Sequence, residues 1–113
     1  DDKVLSDEIT NNVTKNNCLS LYDKKISEAI PYLCASNMYV GNDSFGSHVT
    51  SQSGIKSLVM ILDTPKAYTD YSKNYQRIVP DGIKIENVTH GSNLNPEHIT
   101  VEKVYQEINN LKS

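Results

Sequence analysis

The sequence contains no Trp and only one Phe in 113 residues. Large rings for a core or an interface must therefore come from its seven Tyr. A strong excess of either charge is also lacking. Eleven Lys and Arg stand against fourteen Asp and Glu, a net charge of -3, which excludes the basic footprint of a nucleic-acid binder. The longest apolar run, Leu58 to Leu62, has five residues, far short of the ~18 that read as a membrane span. Apolar residues make up 37% of the chain and mean hydropathy is -0.50. That is poor in apolar content, yet not charged enough to read as disordered. The length fits one domain, residues 1–113.

What is abundant is Asn, Ser and Thr, at twelve, twelve and seven copies. The three Asn-x-Ser/Thr sequons, at Asn12, Asn42 and Asn87, are close to what such a composition produces by chance. The chain opens Asp1-Asp2-Lys3 without Met, as a mature exported protein does, and its two cysteines, Cys18 and Cys34, are candidates for a disulfide. A secreted or periplasmic location is therefore expected. Leu19–Ile30 reads as a helix about 18 Å long at 1.5 Å per residue, whereas bridged Cα atoms lie within about 7 Å. A Cys18–Cys34 bridge thus requires that helix to break. The rival reading is two buried thiols acting as small hydrophobes.

Along the chain, Val4, Leu5, Ile9 and Val13 suggest a helix over 4–15, and Leu19, Tyr22, Ile26, Ala29, Ile30 and Leu33 a second. Pro31 either ends that helix or starts another. Residues 41–54, with three Gly and four Ser, read as one long polar loop. Residues 55–63 fit a helix or a buried strand. Thr64-Pro65 resembles a cap followed by a first-turn proline, with Ala67, Tyr68, Tyr71, Tyr75, Ile78 and Val79 on one helical face. Pro80-Asp81-Gly82 is a turn, residues 83–88 a minor β element, and Asn95-Pro96-Glu97 the start of a final helix. The fold class expected is mainly α, a bundle of four or five short helices carrying one long polar loop.

Catalytic signals are thin. His48, His90 and His98 form no helical i, i+4 pair and sit apart from both cysteines, so no metal or cofactor is expected. Gly41 and Gly46 have phosphate-loop spacing, but Ser47 stands where the lysine belongs. Asn42-Asp43-Ser44-Phe45-Gly46 approximates a G-x-S-x-G nucleophile elbow. An elbow needs a strand before it and a helix after it, and a loop supplies neither. A hydrolase is therefore the least favoured class.

The reading that remains is a non-enzymatic protein-binding domain. Its recognition element is the loop carrying Asn42, Asp43, Ser44, Phe45 and His48, inserted into a partner's cleft, with Tyr68, Tyr71 and Tyr75 as a second contact stripe. The stripe reads more readily as core than as interface. Cys18-Leu19-Ser20-Leu21-Tyr22 on a small helical chain resembles periplasmic immunity proteins, which neutralise toxins delivered by neighbouring bacteria. That resemblance implies an inhibitor or toxin-immunity role. The alternative is a helical carrier whose tyrosine stripe lines a cavity for a small apolar ligand.

Overall fold

Ser57-Leu58-Val59 is buried on alternating sides, the condition of a strand covered on both faces in a parallel sheet. In the computed structural model, which describes residues 2–13 and 17–112, this run centres β2 (Lys56–Met60). It lies between β1 (Met38–Asn42) and β3 (Tyr75–Ile78). Both pairings are parallel in the order β1-β2-β3, with Met38 opposite Lys56 and Ser57 opposite Tyr75. The sheet belongs to the second of two compact units, Asp1–Tyr32 and Leu33–Ser113. A mainly α bundle is therefore the wrong class. The second unit is an α/β structure built on a parallel sheet.

Residues 41–54 are not a loop. After Gly41 and Asn42 end β1, Phe45–Gln52 forms α3 and returns the chain to β2. The helix hides its period from a search for apolar residues because its buried face is made of hydroxyls. Ser47, Thr50 and Ser51 are all buried, at the i, i+3, i+4 spacing of one helical face. Thr50 Oγ1 donates to the Gly46 carbonyl at 2.9 Å and meets Ser57 Oγ of β2 at 2.7 Å. At the other end Gly54 has φ 84, the left-handed conformation in which glycine closes helices. Ile55 N–H then reaches Thr50 O at 3.0 Å and Gly54 N–H reaches Ser51 O at 3.4 Å, the paired bonds of a Schellman stop.

Strand alternation sends odd- and even-numbered side chains of β2 to opposite faces. Ser57 and Val59 face α3 and the main cluster of Val59, Ile61, Tyr75 and Val88. Val59 and Ile61 are fully buried, each contributing roughly 1.5–3 kcal/mol of transfer free energy. Lys56 and Met60 face α4 (Val101–Lys112), where Lys56 Nζ donates to the Leu111 carbonyl at 3.1 Å. Two side layers of helix thus cover one sheet.

The expected tyrosine helix is also overturned. Lys66–Thr69 is one 3-10 turn, and Tyr75 lies in β3. Arg77 Nε donates to Thr69 Oγ1, tying that turn to β3 and competing with helix continuation. The minor β element at 83–88 is likewise absent. Ile85–Asn87 is a 3-10 turn, preceded by the turn closed by Ile83 N–H on Pro80 O at 3.1 Å with Gly82 at φ 81.

In the first unit α1 spans Asp2–Asn12, so the expected helix end at Thr14 and Lys15 falls outside the described residues. Lys3 Nζ pairs with Asp7 at 2.8 Å, one turn on. The next helix begins at Ile26, not Leu19. Lys24 N–H closes a turn on Leu21 O at 3.0 Å, and α2 (Ile26–Cys34) then runs through Pro31, losing one helical rung there. Cys18 and Cys34 are free and exposed. Each sulfur has a hydroxyl neighbour within its own unit, Thr10 Oγ1 at 3.9 Å and Ser53 Oγ at 3.6 Å. The buried-thiol reading does not describe them. Among the described residues no helix is long and apolar enough to cross a membrane.

Asn95 caps only the 3-10 turn Pro96–His98, accepting from Glu97 N–H at 3.0 Å. The helix proper is capped by Thr100, whose Oγ1 accepts from Lys103 N–H at 3.1 Å. Thr100→Ala should therefore cost about 1 kcal/mol in urea unfolding, as loss of a helix cap does. Asn95→Ala should cost less, and the reverse order would place the helix start at Asn95.

Candidate functional site

A parallel strand ends with its carbonyls pointing at whatever follows it, and the crevice beyond those ends is where open α/β sheets bind ligands. Here the chain leaving β1 is Asn42-Asp43-Ser44. Asp43 is the hub. Its Oδ1 accepts from Tyr75 Oη at 2.6 Å and lies 3.0 Å from His48 Nε2, while Oδ2 accepts from Thr64 Oγ1 at 2.6 Å. These partners come from α3, from the segment after β2, and from β3. One carboxylate thus ties three successive parts of the unit together.

The electrostatics follow from these contacts. Burial alone pushes the Asp43 carboxyl up. The bonds from Thr64 and Tyr75, with the imidazole of His48, outweigh that and hold it below the usual carboxylate range. Tyr75 moves the other way. Its burial and its donation to the carboxylate both raise it above an ordinary phenol. At neutral pH Asp43 is therefore an acceptor only and Tyr75 a fixed donor.

Because Asp43 offers no proton, His48 Nε2 must carry one, and in the neutral ring Nδ1 is then bare. Tyr71 Oη lies 2.6 Å from that Nδ1 and 3.0 Å from Ser51 Oγ. The His48 ring stacks on Tyr71 with centroids 5.7 Å apart, and Tyr75 lies at the same centroid distance. Asp43, His48, Tyr71 and Tyr75 are thus joined in one network, as four of the expected contact residues. The others are not part of it. Asn42 is exposed and its carbonyl accepts from Tyr39 Oη at 3.2 Å. Phe45 opens α3 half-exposed, and Tyr68 packs on His90 with centroids 5.2 Å apart.

Ser44 shows why the elbow comparison fails in a way the sequence did not suggest. The strand before it and the helix after it are both present. Yet its backbone is extended, at φ -159 and ψ -177, not strained, and its hydroxyl neighbours Tyr39 Oη at 3.4 Å instead of an imidazole. Ser47 closes the turn by accepting from Ser44 N–H at 3.1 Å and donating to Ser44 O at 2.7 Å. The Tyr39 side chain lies against Gly41 and Gly46, where an added Cβ would fall 2.5 Å from its hydroxyl oxygen and 3.0 Å from a ring carbon, respectively.

Thr64, Ser51 and Tyr39 escaped the sequence reading. A Thr-Pro pair after an apolar run signals a cap as readily as a ligand to a carboxylate, and nothing local separates the two. Beside Thr64, the cleft of about 360 Å³ lined by Leu62, Asp63, His90, Gly91, Asn93 and Leu94 opens at the end of β2. Asn93 holds φ 47 there, a left-handed conformation that Asn tolerates better than most residues.

Asp43→Asn replaces one of the two acceptor oxygens by an NH2 donor, so at least one of the three donors loses its partner. It should destabilise the protein by about 1–3 kcal/mol at pH 7. The folded carboxyl titrates below its unfolded value, so its stabilisation is complete above the ordinary carboxylate pKa of ~3.9 and is lost as pH falls through and below it. Urea unfolding of both proteins from pH 7 to 2 should show the gap narrowing at the acid end. A gap that stays constant would contradict the assignment.

No protein-family model matches the sequence, and no match was found among curated proteins or solved structures.

Proposed function

We propose that the second unit binds a small hydrogen-bonding molecule at the carboxyl edge of its sheet. The observation that carries this reading is the convergence of Asp43, His48, Thr64, Tyr71 and Tyr75 beyond the strand ends, next to a polar cleft. Ligand clefts combine apolar walls with a few placed polar groups. Leu62 and Leu94 supply the walls, while Asp63, His90 and Asn93 supply donors and acceptors. Loop insertion into a partner loses its basis, because residues 45–52 are helical and their hydroxyls are turned into the sheet. A buried apolar carrier site loses its basis too, since Tyr68, Tyr71 and Tyr75 share no helix face.

A protein partner stays as the second reading, on a different surface. Met60, Ile99, Val101, Val104, Tyr105 and Ile108 line an apolar groove, with Val101 80% and Tyr105 66% exposed. Large exposed apolar side chains grouped in this way mark interaction surfaces.

Titrating nitrogen-15-labelled protein with a library of small hydroxylated and aromatic fragments separates the two. Amide shifts clustered at Asp43, Leu62, Asp63 and His90–Leu94 are the expected result. Shifts confined to 99–108, or none at the carboxyl edge, would overturn the reading.

A further inference from the structure

Two tyrosines contact the Asp43–His48 pair, and they do so differently. Tyr75 is buried and donates to the carboxylate. Tyr71 is 45% exposed and reaches the far nitrogen of the imidazole. Read from solvent inward, the order is phenol, imidazole, carboxylate, with contacts of 2.6 and 3.0 Å. A nucleophile, a base within hydrogen-bond reach and a third group orienting that base form the arrangement that activates hydroxyls for covalent catalysis. The sequence offered Ser44 for the first role. The fold assigns it to Tyr71, twenty-three positions from His48 along the chain.

We propose that Tyr71 Oη is a nucleophile toward activated acyl donors, with His48 as its general base and Asp43 as the residue that positions His48. In the reaction, the Tyr71 Oη–carbon bond forms as the phenol proton passes to His48 Nδ1. The bond from the carbonyl carbon to the leaving oxygen then breaks, and His48 returns the proton to that oxygen. The products are an O-acyl tyrosine and a free alcohol or phenol, with no oxidant, metal or further reactant. Ser51 Oγ, itself buried, lies 3.0 Å from Tyr71 Oη and 3.3 Å from the His48 carbonyl, to which it donates, and so packs the phenol oxygen against the ring. His48 is held from both sides, so the phenol needs no rearrangement before it reacts. This goes beyond ligand binding at the carboxyl edge and does not depend on the neighbouring cleft being occupied.

The test uses p-nitrophenyl acetate as the acyl donor, with peptide mass spectrometry of the intact chain at fixed pH. Tyr68, 60% exposed and packed on the His90 ring without a hydrogen bond to it, is the internal reference for an imidazole that is near but not aligned as a base. The buried Tyr75 reports that the fold persists, by remaining unmodified. Tyr71 should be acetylated at least about a hundredfold faster than Tyr68, the lower end of what a positioned general base contributes. His48→Gln should bring Tyr71 down to the Tyr68 rate while Tyr75 stays unmodified. Should that variant unfold, Tyr75 becomes acetylated, and the wild-type ratio of Tyr71 to Tyr68 decides alone. Tyr71→Phe should abolish the initial burst of p-nitrophenol. Equal rates at Tyr71 and Tyr68 would overturn the proposal. So would a burst that survives Tyr71→Phe, because the imidazole itself would then be the nucleophile. Fragment shifts at the carboxyl edge without Tyr71 acetylation would leave binding standing and remove this step alone.

Discussion

The carboxylate of Asp43 is the constraint on which the second unit's geometry turns. It sits where β1 gives way to α3, and its bonds run to Thr64, Tyr75 and His48. A carboxylate that is partly withdrawn from water is costly unless its lone pairs are used. This one is supplied with donors from three directions. The same bonds that keep it ionised fix the tautomer of His48, and the tautomer in turn fixes which way the Tyr71 hydroxyl points. One local acid thereby orients Thr64, Tyr75 and His48 directly and Tyr71 through the imidazole.

Around that hub the structure uses small residues where a larger domain would use bulk. The α3–sheet contact is made by Ser47, Thr50 and Ser51 on one side and Ser57 on the other. Short hydroxyl side chains let helix and strand approach closely, and each hydroxyl is satisfied across the gap or by its own helix. Among the described residues no buried side-chain polar atom lacks a partner, as native interiors require. Tyr39 follows the same logic. Its ring occupies the space that side chains at positions 41 and 46 would need.

Much of this was invisible to a reading based on apolar periodicity, for identifiable reasons. A helix whose buried face is Ser, Thr and Ser looks like a polar loop, although the i, i+3, i+4 spacing is present in the hydroxyls. Tyr68, Tyr71 and Tyr75 do recur at helical intervals, but Arg77 draws Thr69 into a side-chain bond and Tyr75 pairs in the sheet opposite Ser57. Tertiary pairing overrides the local pattern. What the sequence did reveal was punctuation. Pro80-Asp81-Gly82 is a turn, Leu58-Val59 is buried, and the last segment is an amphipathic helix. Asp43, His48, Tyr71 and Tyr75 were legible as candidates. Their connection was not, because it depends on strand register between separate segments, which no local pattern reports.

That register carries a consequence for assembly. Met38 meets Lys56 and Ser57 meets Tyr75 across the same interval of chain, so the sheet closes by two short connections of similar span, the first of them carrying α3. Folding speeds rise as contacts become more local, and a parallel sheet built this way avoids the distant pairings that slow such topologies. The polar centre, however, needs both closures. β1, α3 and β2 can come together with Asp43 and His48 already adjacent, but Tyr71 and Tyr75 arrive only with β3. The carboxyl edge is therefore complete only when both strand pairings are in place.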